Sequence, residues 1–246
     1  MFKKLVPLNR ETHAKLKVKP IDTFGFANGF HIASLMVHEF ARAASAYPIV
    51  FLEDKEKDEF RPVVLLGLEA GENLFLNEDG SWKASYVPAI IRRYPFALAR
   101  LGEEADQFTV CLDEESDFVN EKDGDALFDK DGEPTEVVEN VKRYLGEMQQ
   151  MEAFTQQFCH FLSEHNLFNP LNMRVRYGSA MRNVTGCYVI NEERLYNLSD
   201  KLFLEIRDKR YLAPMFSHLT SLSQIERLGR FKEDLGDTTP APAADA

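Results

Sequence analysis

The residues best suited to chemistry fall in one run, Trp82 to Phe96. It holds the single tryptophan of the chain, Tyr86, Tyr94, two prolines and the pair Arg92 and Arg93. A planar guanidinium there suits a two-pronged grip on a carboxylate or phosphate, with Trp82, Tyr86 or Tyr94 as an apolar wall. The same residues suit a plainer role, in which the arginines close a helix C-terminus and the aromatics fill a core. The plainer role is the default, because a site needs groups that converge from several elements. Trp82, Tyr86, Arg92, Arg93 and Tyr94 are thus ligand-binding candidates, and no residue is singled out as catalytic.

Other chemistries find less support. No nucleophile elbow, phosphate-binding glycine loop, dinucleotide fingerprint or His-Glu-x-x-His pattern occurs. The acidic run before residue 140 invites a calcium reading. Yet an EF-hand alignment on Gly132 puts Leu127 at the first ligand position and Val138 where a bidentate glutamate belongs, and alignment on Gly124 fails in the same way. His31 and His38 are seven apart in a stretch read as one helix, and His160 and Glu164 are spaced i and i+4. Neither pair supplies three converging ligands, so no metal and no cofactor is expected. Cys111, Cys159 and Cys187 are scattered and odd in number, which suits reduced thiols.

These side chains must be carried by elements. Apolar positions from His31 to Tyr47 recur at three- and four-residue steps and predict an amphipathic helix stopped by Pro48. Ile49–Leu52 and Phe60–Leu68 read as strands joined by a charged hairpin loop, and Leu5–Leu8 as a short edge strand, because Pro7 cannot donate to a central ladder. Asn73–Leu76 reads as a strand before the turn Glu78-Asp79-Gly80, and Tyr86–Arg93 as a short helix with Pro88 in its first turn. A further strand spans 107–112. Val137 to His165 carries one apolar stripe and predicts a long helix, about 42 Å at 1.5 Å per residue. Leu171–Tyr177 and Thr185–Ile190 read as strands, with Asn191 as a helix cap, and helices follow over 199–207 and 212–228. The segments 73–80 and 126–132 echo one another as two turns of one type.

Strands early and helices late predict an α+β fold, a mainly antiparallel sheet in the N-terminal half with a long helix and a helical C-terminal half packed on it. One domain is expected over residues 1–235 with an acidic excursion at about 103–135, followed by a disordered tail over 236–246. The formal charge is −11. Residues 101–140 hold fifteen acids and two lysines, a local −13, which leaves the rest of the chain at +2. Such a chain is a poor nucleic-acid binder through its overall field. The acidic stretch 103–139 is a solvated loop or a docking surface for a basic protein or peptide partner. The opening residues lack the apolar core of a signal peptide and no window suits a membrane span, which points to the cytoplasm.

The motifs Val6-Pro7-Leu8-Asn9, Glu39-Phe40, Tyr47-Pro48-Ile49-Val50-Phe51, Tyr86-Val87-Pro88-Ala89 with Arg92-Arg93-Tyr94-Pro95-Phe96, Gly186-x-Tyr188-Val189-Ile190 and Ser217-His218-Leu219-x-Ser221-Leu222 resemble the SapC family of bacterial proteins, over roughly residues 4–228. The resemblance implies a place beside surface-layer secretion or nutrient-uptake systems, and it carries no catalytic residue over. The function expected is that of a non-catalytic accessory or binding protein. The alternative is an enzyme, or an enzyme's partner, that holds an amino-acid or peptide carboxylate on an arginine.

Overall fold

The computed structural model describes residues 1–100, 108–178 and 180–236. The tail predicted to be disordered lies, beyond Gly236, outside the described residues, as do Glu103, Glu104 and Asp106 of the acidic stretch. In chain order the elements up to the first arginine motif are β1 (Leu5–Pro7), α1 (Arg10–His13), β2 (Lys17–Val18), β3 (Ile32–Ser34), α2 (Phe40–Ala43), β4 (Ile49–Asp54), β5 (Glu59–Leu65) and α3 (Ala89–Arg92). Then come β6 (Phe96–Arg100), β7 (Phe108–Asp113), β8 (Val119–Asn120), β9 (Asp125–Ala126) and the long helix α4 (Glu136–Glu164). The last part holds β10 (Phe168–Pro170), β11 (Met173–Tyr177), β12 (Ala180–Val184), β13 (Tyr188–Ile190), α5 (Glu192–Tyr196), α6 (Asp200–Asp208), α7 (Leu212–Ser221) and α8 (Ile225–Asp234).

The fold is α+β, and every strand pairing described is antiparallel. The main sheet runs β10-β13-β4-β5-β3, so two of its strands come from beyond α4. Its centre is the hairpin β4–β5, whose Ile49, Val50, Phe51, Val63 and Val64 are buried as a central pair requires. Pro62 is tolerated in β5 because β3 ends at Ser34, opposite Val63 and one residue short of it. A second sheet, β1-β7-β6, keeps β1 with its Pro7 at the edge, and a small sheet, β8-β2-β9, joins the N-terminal segment to the acidic stretch.

Helix α4 links two apolar cores. Its first half contributes Val138, Leu145 and Met148 to a core shared with Phe96, Val110 and Leu112 of the second sheet. Its second half contributes Phe158, Phe161 and Leu162 to the core of the main sheet. Helix α7 is fastened to that sheet by polar side chains: His218 Nε2 accepts the Ile190 N–H at 3.0 Å, and Ser221 Oγ accepts the Ile49 N–H at 3.0 Å. On α8, Lys232 is buried and reaches Glu72 at 2.7 Å.

Several local expectations are corrected. His31–Tyr47 is not one helix but β3, a 3₁₀ turn over Val37–Glu39 and the four-residue α2. Its periodicity is met in another way, because Ile32–Ser34 pairs with β5 while the Met36 and Val37 amides donate to the Glu39 carboxylate and the Thr155 hydroxyl instead of to a helix ladder. His31 and His38 therefore do not share a helix. Asn73–Leu76 forms no strand; only Leu76 bridges, to Trp82. The helix expected over 212–228 divides into α7 and α8 at a 3₁₀ turn, Leu222–Gln224. Strand β11 begins at Met173, not Leu171, and β13 at Tyr188, not Thr185. The two echoing turns are alike in structure: Leu76 bridges Trp82 as Phe128 bridges Pro134, and Gly80 and Gly132 take φ of 79° and 82°. That left-handed backbone explains a glycine in both.

Candidate functional site

Pro88 caps α3, where its missing N–H costs nothing, and Ala89 opens the helix by donating its N–H to Glu39 Oε1 at 2.8 Å. The Tyr86 hydroxyl donates to the same oxygen at 2.5 Å, and the Met36 N–H donates to Oε2 at 2.9 Å. Glu39 is buried, and these three donors answer its charge. Trp82 donates its indole N–H to the Tyr47 hydroxyl at 2.6 Å, and that hydroxyl donates to the Tyr86 carbonyl. Burial, and for Tyr86 also the bond to Glu39, raises both phenol pKa values well above the ordinary one, so both stay protonated donors.

Tyr94 lies flat on Phe26, with ring centres 4.1 Å apart, and donates its hydroxyl to Asp113 Oδ2 at 3.1 Å. Asp113 also accepts the Lys3 and Lys4 amides at 3.0 and 2.8 Å. Burial opposes its ionisation, but these donors together outweigh burial and hold its carboxyl below the usual range. Tyr86 and Tyr94 are thus committed inside the protein, and Trp82 is half-buried against Phe24 and Phe75.

The two arginines face open space. The Arg92 Nε donates to the Val87 carbonyl at 2.9 Å, and its guanidinium carbon sits 5.6 Å from the Tyr86 ring centre and 5.7 Å from that of Tyr144. It lines a cavity of about 530 Å³ beside the first half of α4, with Lys19, Phe24, Asn140, Val141 and Tyr144. Tyr94 and Arg93 reach the same cavity. Arg93 is half-buried, its guanidinium lies 5.6 Å from the Phe2 ring centre, and its buried Nε–H has no hydrogen-bond partner among the described residues. Burial lowers its pKa, with Tyr144 and Glu152 acting in the opposite sense. Arg93 also lines a second cavity, of about 540 Å³, together with Arg61, Arg100 and Glu152.

The residues that order this site were only partly in view from sequence. Glu39 stands inside a quoted motif, and an acid amid apolar neighbours is a signal for a buried carboxylate with local donors. Asp113, Arg61, Arg100 and Glu152 come from separate elements and carry no shared spacing. His160 and Glu164 do meet, at 3.3 Å on the exposed face of α4. Among the described residues no three His, Cys, Asp or Glu side chains converge as a metal site would require, and no helix is long and apolar enough to cross a membrane.

The SapC family profile matches residues 8–228, a span that runs from the residue after β1 into α8. The chain belongs to the SapC family. No curated protein and no solved structure matches it. Within this SapC chain the motif Tyr86 to Phe96 has a physical meaning. Its first tyrosine locks α3 to Glu39, its last tyrosine locks the N-terminal segment through Asp113, and the two arginines between them are left to line cavities.

Proposed function

We propose that this SapC family member is a non-catalytic accessory protein of the cytoplasm that binds a protein or peptide partner on behalf of a surface-layer or nutrient-uptake system. The observation that supports this reading most is Arg92. Its Nε is anchored to Val87, its face is backed by two tyrosine rings, and its guanidinium lines the cavity beside α4, where it can meet a carboxylate. A fork held this way loses little freedom on binding. The three cysteines and His218 are sealed away from service as nucleophile or base. Burial raises the thiols of Cys111, Cys159 and Cys187, and burial holds His218 neutral.

The acidic stretch supports a weaker version of partner docking. Part of it is already covered by the chain's own N-terminus, through Lys4–Glu114 at 2.7 Å, His13–Glu114 at 2.9 Å and Lys19–Asp123 at 3.6 Å. Exposed acids such as Glu121, Asp125 and Asp131 remain for a basic partner. The enzyme reading draws on one observation, Glu152, whose carboxyl burial raises beside Arg93, as a general acid requires.

Fluorescence anisotropy with labelled Leu-Glu-Leu-Glu-Leu-amide tests the reading. Saturable binding is expected, weakened at least tenfold by Arg92→Ala, less by Arg92→Lys, and weakened by added salt. Equal binding by Arg92→Ala with an unchanged circular dichroism spectrum would overturn it, and cleavage or modification of the probe would move the protein to the enzyme class.

A further inference from the structure

The cavity on the other side of Arg93 has a different chemistry. Three arginines reach it from three elements: Arg61 from β5, Arg93 from the C-terminal end of α3 and Arg100 from the end of β6. None of them closes an ion pair among the described residues. Arg61 and Arg100 are exposed, Arg100 stands 5.7 Å from the Phe108 ring centre, and the Arg93 Nε–H is buried with no acceptor among the described residues. Among the described residues a single carboxylate, Glu152 of α4, lines the same space. It is flanked on that helix by Gln149 and Gln156, spaced i−3 and i+4, so the three share one helix face. The rest of the wall is apolar, with Leu35, Met36, Pro62, Ile90 and Leu98 among its residues.

The geometry points to this cavity as a binding site for a small zwitterion with an apolar body, an α-amino acid or short peptide whose free carboxylate meets the arginines and whose free ammonium meets Glu152. Each part of the lining narrows the class. Guanidinium groups with no ion-pair partner among the described residues call for an anion. The apolar wall calls for a body that removes it from water, which a bare inorganic ion cannot do. At about 540 Å³ the cavity is in the range of small-molecule sites and has room for more than one residue. Glu152 decides the remaining charge. A dianion would meet like charge there, whereas an ammonium pairs with it, so the same residue attracts the zwitterion and rejects phosphate. The glutamine amides provide a donor and an acceptor each, as a peptide unit needs.

This site goes beyond the partner-binding role, and the two fail separately, because neither Arg61 nor Glu152 lines the Arg92 cavity. Isothermal titration of the full chain with L-phenylalanine and with leucyl-phenylalanine tests it, alongside N-acetyl-L-phenylalanine, L-phenylalaninamide and inorganic phosphate. At least one of the two zwitterions is expected to bind, and which one separates amino acid from peptide as the source. Acetylation or amidation weakens binding at least tenfold. Glu152→Gln weakens the zwitterion about tenfold and leaves the acetylated probe unchanged, Arg61→Ala weakens both, and Arg92→Ala changes neither. All three altered positions are exposed, so the fold survives and circular dichroism checks it. Binding of neither zwitterion, equal binding of the acetylated probe, indifference to Glu152→Gln, or phosphate binding as tight as the zwitterion would each overturn the inference.

Discussion

At the scale of single residues, several buried polar groups are spent on backbone amides, some of them in distant segments. Glu39 answers Met36 and Ala89, Asp113 answers Lys3 and Lys4, and His218 answers Ile190. His218 gives the clearest pH dependence. Its ring is fully buried, and burial drives its pKa from 6.5 to about 3. The folded value lies below the unfolded one, so stability is full above pH 6.5. It is lost as pH falls from there toward 3, because only the unfolded chain takes up the proton. The slope is at most about 1.4 kcal/mol per pH unit, or roughly 2–3 kcal/mol by pH 4.5. Urea unfolding of the wild type and His218→Gln at several pH values checks this. The variant's profile should be flatter between 6.5 and 4.5, and parallel profiles would remove His218 as the cause.

At the scale of elements, two glycines on two helices have opposite prospects. On α8, a Cβ at Gly229 would lie 2.6 Å from the Arg176 carbonyl oxygen and 3.1 Å from Val175 Cγ1, since the helix rests directly on β11. Gly229→Ala must push the two apart, at a cost of about 1–3 kcal/mol. On α4, no atom of the described residues lies within 4 Å of a Cβ at Gly146, so Gly146→Ala gains about 0.5–1 kcal/mol of helix propensity. Chemical denaturation of both variants reads the two signs. The elements also mark how far sequence reading reaches. Helix α4 was legible almost to the residue, and β4 and β5 to within two or three residues at one end, because their periodicity extends over many turns or buries both faces. The Asn191 cap was legible from local chemistry, and its side chain accepts the Arg194 amide. The stretch 31–47 was not, because its backbone donors are answered by Glu39 and by Thr155, 118 residues from Val37. The Arg92 cavity was half legible: the arginines stood out by composition, but which tyrosines back them and which are sealed depends on contacts that no spacing encodes.

At the scale of the whole molecule, the charge of −11 is arranged rather than spread. The basic N-terminal segment folds along the acidic stretch through β1, the small sheet and the pairs at Glu114 and Asp123. Exposed pairs contribute only about 0–1 kcal/mol each, so the hold comes from main-chain pairing and buried Asp113. Asp113→Ala leaves two amides and the Tyr94 hydroxyl unanswered. Hydrogen exchange should then quicken together in residues 1–20 and 114–126, with the main sheet unaffected. Release of the same residues by salt alone would assign the hold to the ion pairs instead. Trp82, the sole indole of the chain, has a practical consequence at this scale. Its ring stands 5.5 Å from Phe24, which lines the Arg92 cavity, and its N–H is spent on Tyr47. The protein therefore carries its one indole fluorophore, which can be excited apart from the tyrosines, a single ring away from the space a partner would fill, and its emission colour and quenching can serve as an optical gauge of occupancy without any attached dye.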